Sequence, residues 1–162
     1  MLAFATHTSI AGIAGSLPEH PTPALVLTPP VQPSEQDDGL LSLDEIMKIK
    51  LPNTQLVILS ACETAAADNS GENLSGLARA FFFAGAPSLL VSHWNVDDQA
   101  THQLMVEIFR HQARDRTISR AEALRQGMLG LLACARKKRA HFAHPYAWAP
   151  FFMVGEGRHS MP

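Results

Sequence analysis

Leu56-Val57-Ile58-Leu59-Ser60-Ala61-Cys62-Glu63-Thr64 is the stretch on which the reading of this chain turns. Four aliphatic residues in a row, two of them β-branched, predict a short strand buried on both faces. The run breaks at Ser60-Ala61-Cys62, and small polar residues carry the chain to Gly71, where a helical pattern begins. Cys62 therefore falls where a buried strand gives out into a loop. In an open parallel α/β sheet, ligands bind beyond the carboxyl ends of the strands. A thiol placed there, with histidines elsewhere in the chain, is a candidate nucleophile. The competing reading is a buried structural cysteine, since free Cys packs as a small hydrophobe. This segment alone leaves both open.

The rest of the chain bounds the answer. At 162 residues, 46% hydrophobic and 17% charged, it is expected to form one domain with a real core. A formal net charge of −2 gives no electrostatic case for nucleic acid or an anionic membrane surface. The two cysteines, Cys62 and Cys134, lie far apart and predict no disulfide framework, which points to a reducing, cytoplasmic setting. The apolar start to Gly15 lacks a preceding Lys or Arg and is interrupted by His7, so no signal peptide is expected. No apolar run reaches the length of a membrane span, and the chain reads as soluble. Strand-like residues directly after Met1 predict that an upstream part of a larger unit is missing.

Outward from the opening stretch, strands and helices alternate. Leu2–Thr6 and Ala24–Thr28 read as short strands, the second stopped by Pro29-Pro30, with a loop at 8–23 and an exposed loop at 31–39. Ser42 and Glu45 form a capping box for a helix turning Leu43, Ile46, Met47 and Ile49 inward. After the Cys62 loop, Asn73 or Ser75 opens a helix through Phe81 and Phe82 that Gly85 closes. Ser88–Trp94 is the next buried strand. Asp97 or Asp98 caps a helix whose Leu104, Met105, Ile108 and Phe109 share one face. Ser119 and Glu122 make a second capping box, and that helix ends in the basic run 136–139, read as a solvated terminus rather than a nucleic-acid patch. Ala149–Val154 is a last strand. Such alternation predicts an α/β fold, a mainly parallel sheet with helices on both faces.

Two strand ends carry chemistry, one at His7 and one at Cys62. If those strands are parallel neighbours, imidazole and thiol emerge from the same edge, as a Cys–His dyad requires. The imidazole then deprotonates the thiol or holds the thiolate as an ion pair, and later protonates the leaving amine.

Phe4–His7, Leu56–Thr64, Gly71–Ala86, Val91–Asp98 and His144–Phe151 closely resemble the CHAT domain, in order and over essentially the whole chain. CHAT domains are grouped with caspases, separases and clostripain-like peptidases. The resemblance implies a caspase-like three-layer sandwich and a cysteine endopeptidase without cofactor, with His7 as general base and Cys62 as nucleophile. It implies an oxyanion hole from the backbone N–H groups of Cys62 and of the residue after the histidine, usually Gly and here Thr8. It also implies that Ser92, His93 and Trp94 pair with a protein or peptide substrate and wall its pockets. By similarity to separases, Asp98 falls where an acidic residue receives a basic P1 side chain. Asp97 and Asp98 as plain helix caps are the competing reading. CHAT domains usually form the C-terminal part of longer proteins, often behind tetratricopeptide repeats that recruit a regulatory partner. A non-catalytic interaction module is the alternative function.

The remaining candidates are weaker. His141 and His144 have zinc-like spacing but no cysteine pair beside them, so no metal is expected. Glu63 shapes the pocket or is a solvated loop charge. Cys134, Trp148, Phe151 and Phe152 read as packing.

Overall fold

Val57, Ile58 and Leu59 are all buried, as an aliphatic run with a layer on each face must be. The computed structural model describes residues 1–6, 8–9, 23–32, 34, 37–60, 76–94, 97–135 and 140–155. In chain order its strands are β1 (Leu2–Phe4), β2 (Thr8–Ser9), β3 (Ala24–Val26), β4 (Leu40–Ser42), β5 (Val57–Leu59), β6 (Ser88–Ser92) and β7 (Phe151–Gly155). Its helices are α1 (Leu43–Lys48), α2 (Gly76–Phe83), α3 (Asp98–Arg114) and α4 (Arg120–Ala135), with 3-10 turns at Ala140–Ala143 and Pro145–Ala147.

Among the described residues there is a four-stranded sheet of order β1-β5-β6-β7 and a three-stranded sheet of order β2-β3-β4. β1, β5 and β6 run parallel, and β7 closes the far edge antiparallel to β6, from Ser88 opposite Gly155 to Ser92 opposite Phe151. The parity of the strands builds the layers. Val57, Leu59, Leu89 and Val91 face one core with Ile46, Leu77 and Phe81, from α1 and α2. Leu56, Ile58 and Leu90 face the other, with Leu104 and Ile108 of α3 and Leu131 of α4. The fold is the α/β three-layer sandwich expected, with a mostly parallel central sheet.

The smaller sheet was not legible as such. Ala24–Val26 is a strand, but it pairs antiparallel with β2, at Thr8–Ser9 where a loop was expected, and with β4, a strand at Leu40–Ser42 that the sequence reading left unassigned. The α1 capping box is present in full: the Glu45 N–H donates to Ser42 Oγ, and the Glu45 carboxylate accepts from the Ser42 N–H at 2.8 Å. Yet α1 spans only six residues, so Ile46 alone is buried on it while Met47 and Ile49 face outward, contrary to expectation. At α4 half of the second box forms. The Glu122 N–H donates to Ser119 Oγ at 3.1 Å, but the Glu122 carboxylate turns forward to Arg125 and Gln126. Asn73 and Ser75, the Cys134 side chain and the basic run 136–139 lie outside the described residues.

Gly85, at φ 100°, ends α2 in a Schellman arrangement, with the Ala86 N–H donating to the Phe81 carbonyl and the Gly85 N–H to that of Phe82, both at 3.0 Å. The amino-terminal end of the sheet is tied down. Buried Arg120, the first residue of α4, donates to Ser88 Oγ and to Gln55 Oε1, each at 3.2 Å.

Two measurements test this frame. A Cβ on Gly155 (φ 89°) would lie 2.4 Å from the Pro87 carbonyl oxygen, whereas one on Gly85 meets nothing closer than 4.0 Å. Gly85→Ala should therefore cost about 1 kcal/mol in urea unfolding, for its left-handed backbone alone. Gly155→Ala should cost about 2 kcal/mol more, and equal losses would show that the Pro87 approach yields freely. The second concerns Glu122, whose bonds to Arg125 and Gln126 lower its carboxyl from an ordinary 4.5 to about 2. Its folded value is depressed, so its contribution is present above 4.5 and lost as pH falls toward about 2. Glu122→Gln should flatten that part of the stability–pH curve, and an unchanged curve would refute the pairing.

Candidate active site

Phe4 and Leu59 end their strands side by side and in register, and the Ser60 N–H donates to the Phe4 carbonyl at 2.9 Å. The parallel adjacency that the sequence left conditional is thus present. His7 and Cys62 each follow that register pair by three residues in sequence. Both lie outside the described residues, as does Glu63. The Thr8 backbone is described; it is extended in β2, opposite Leu25 of β3.

A cavity of about 550 Å³ runs between β1 and α3 and opens at these strand ends. Thr6 and Ser60, the last described residues of the two strand exits, line it together with Asp98 and His102 of α3. The connection from β6 to α3 is short, running from Ser92 to Asp98, so α3 begins at the same carboxyl edge. Of the two acids that the sequence offered as helix caps, one is seen capping. Asp97 is the N-cap, its Oδ1 accepting from the Ala100 N–H at 2.7 Å. Asp98 is exposed in the first turn and has no hydrogen bond or ion pair among the described residues.

Ser92, His93 and Trp94 occupy a different part of the edge. Ser92 is fully buried within β6, opposite Phe151. The His93 N–H donates to the Pro150 carbonyl at 3.0 Å, which carries the β6–β7 pairing one residue further. The His93 ring stacks on Phe152, with centroids 4.2 Å apart. Trp94 lies against Tyr146 at 6.2 Å, and its Nε1 donates to the Tyr146 carbonyl at 3.3 Å. One flank of this segment is therefore occupied by the chain itself, a pairing the sequence reading did not foresee.

His144 caps the Pro145–Ala147 turn, its Nδ1 accepting from the Tyr146 N–H at 3.2 Å, and the His141 ring meets Phe142 edge-on at 4.4 Å. Phe151 is buried in the α3–α4 core, with Trp148 packed on it, while Phe152 packs on the opposite core. The residues that sequence reasoning missed are Thr6, Ser60, Thr101 and His102. The last two belong to an α3 stripe, Asp98, Thr101, His102, Met105 and Phe109, whose spacing is helical but whose polarity is mixed. A hydrophobic periodicity search sees only its lower half.

An α/β sandwich with a cavity at the carboxyl edge of its parallel strands defines the class. Within it, the model of the CHAT domain matches residues 1–156, and the chain belongs to that caspase-like family. The chain is also similar to tetratricopeptide repeat protein 28 of Homo sapiens, 28% identical over 127 residues, which cover 78% of this chain and 5% of that protein. The protein of the same name from Mus musculus is 28% identical over 116 residues, covering 72% of this chain and 4% of the relative. The chain thus spans only a small fraction of the length of these relatives.

The capping assignment at the α3 terminus is directly testable. Asp97→Ala should lower stability in urea unfolding by about 1 kcal/mol through loss of the cap. Asp98→Ala should leave it within about 0.5 kcal/mol, as expected for a surface position. Equal losses would return Asp98 to a capping role.

Proposed function

We propose that this chain is the catalytic part of a caspase-like cysteine endopeptidase, with Cys62 as nucleophile and His7 as general base. The observation that carries the reading is the parallel β1–β5 ladder, because neighbouring strands lie about 4.8 Å apart. Two residues equally far past one register pair start from adjacent points on the same edge. The thiolate attacks the scissile carbonyl carbon, and the tetrahedral intermediate collapses to a thioester as the imidazolium protonates the departing amine. Water, deprotonated by the imidazole, then hydrolyses the thioester and restores the thiol. Backbone N–H groups of Thr8 and Cys62 stabilise the oxyanion. Asp98, unpaired among the described residues and beside the strand exits, receives a basic P1 side chain, while His93 and Trp94 offer aromatic walls to neighbouring substrate residues. No cofactor takes part. In the intact protein, a tetratricopeptide-repeat region like the one named in the relatives recruits the substrate or regulator.

A second reading, a non-catalytic interaction module, draws on one observation. Among the described residues β1 is the outer strand of its sheet, and Leu2 and Phe4 turn their main-chain groups toward β5, so those of Ala3 face away from the sheet.

A thiol-directed peptide probe carrying Arg or Lys at P1 separates the two. Under the peptidase reading it labels the chain, and labelling is lost in Cys62→Ala and in His7→Ala. Asp98→Ala should slow labelling by basic-P1 probes by about tenfold, the loss of one charge-assisted contact, and leave neutral-P1 probes unchanged. Absence of labelling at every pH, also in a chain extended upstream of Met1, would favour the module.

A further inference from the structure

The cavity beside Asp98 is more than a rim for a carboxylate, and its depth follows from the alternation along β1. Leu2 and Phe4 point to the α1–α2 core, so Ala3 and Ala5 face α3. These two methyl-sized side chains, successive on that face, leave space opposite Met105 and Phe109 among the described residues, with Ile58 beside it. On α3, Met105 and Phe109 lie about 10 and 16 Å along the axis from Asp98, at 1.5 Å per residue. The trough therefore runs from a polar mouth at Thr6, Ser60, Asp98 and His102 to an apolar floor. Its volume of about 550 Å³ falls within the range of small-molecule sites, which are largely apolar with a few placed polar groups. Thr101, on the same wall, has a buried Oγ1 with no hydrogen-bond partner among the described residues. Such an unmet valence is what a polar ligand group or a water satisfies.

The geometry points to a binding site for an arylalkyl ammonium group, its cation at the Asp98 carboxylate, which has no partner among the described residues, and its ring in the upper part of the trough against Met105. The carboxylate supplies the charge complement. The mixed stripe on α3 places charge and apolar surface in the order such a group presents them, head outward and body inward. A free amine and the amino terminus of a peptide that begins with an aromatic residue carry this same chemistry. The assignment concerns binding only and does not require Cys62 to be catalytic.

The test uses the chain with 13C-methyl-labelled methionine, the Met105 signal being identified by Met105→Leu. Phenethylammonium should shift that signal in a saturable way and bind about tenfold tighter than 3-phenylpropionate, a carboxylate of similar shape. Asp98→Asn should abolish this preference. Ala3→Leu, at an exposed edge-strand position, should fill the trough and remove binding of both. Phenylalaninamide binding tighter than phenethylammonium would assign the site to peptide amino termini; the reverse order would assign it to free amines. An unmoved Met105 signal at millimolar phenethylammonium, in a chain whose spectrum is that of the folded state, would overturn the proposal. So would equal affinity for the ammonium and the carboxylate. Loss of thiol labelling with retained ammonium binding would sink the peptidase reading alone.

Discussion

The main-chain ladder joining β1 to β5 is the constraint from which the rest of the structure follows. Its rungs run from the Leu2 N–H bonding the Leu56 carbonyl to the Ser60 N–H bonding the Phe4 carbonyl, each at 2.9 Å. Backbone groups buried between two layers must be paired, and β5 has helices over both faces, so parallel neighbours satisfy it with little tolerance for slippage. A slip of one residue would exchange Val57 and Leu59 for Ile58 between the cores. Register is thereby fixed by packing, and the relative position of the two strand exits is fixed with it.

The two ends of the sheet are built to different purposes. At the amino-terminal end of β6, Arg120 bridges Ser88 and Gln55, Gly155 admits the Pro87 carbonyl, and the Leu51 N–H bonds the Ala84 carbonyl at 2.9 Å. Among them, the Arg120–Ser88 contact joins α4 to β6 through two buried side chains. At the carboxyl end, the described surface instead offers an open cavity, an unpaired carboxylate at Asp98 and exposed rings at His93 and Tyr146. Stability concentrated at one end leaves the other free to carry groups chosen for binding rather than for packing.

What could be read in the sequence was whatever rests on short-range pattern. The buried run at Val57–Leu59, the Ser42–Glu45 box and the Gly85 stop are local devices, and each stands as expected. The β2-β3-β4 sheet escaped because its strands are two or three residues long and separated by long loops, too short for period-two alternation to register. Met47 and Ile49 misled for a related reason: apolar spacing on a six-residue helix does not reveal which side meets the core. Glu122 left its reciprocal bond because Arg125 and Gln126 stand one turn on, a charge-assisted alternative to the neutral N-cap amide. The site was half legible. Its strand exits came from motif and strand pattern, but the trough depends on what Ala3 and Ala5 fail to fill, and an absence of bulk leaves no signature in one strand read alone.

That absence has an energetic meaning. A leucine in place of either alanine would bury apolar surface against Met105 and Phe109, worth about 1–2 kcal/mol at ordinary transfer values. Domains of this size are stable by only about 5–15 kcal/mol, so a gain of that order is substantial. On the opposite face of the same strand the chain does place large side chains, Leu2 and Phe4, where they join the α1–α2 core. The contrast between the two faces of β1 is therefore not a shortage of bulky residues in an edge strand. On the α3 side, among the described residues, space bordered by the unpaired Asp98 carboxylate is kept at the expense of stability, the exchange expected of a binding site.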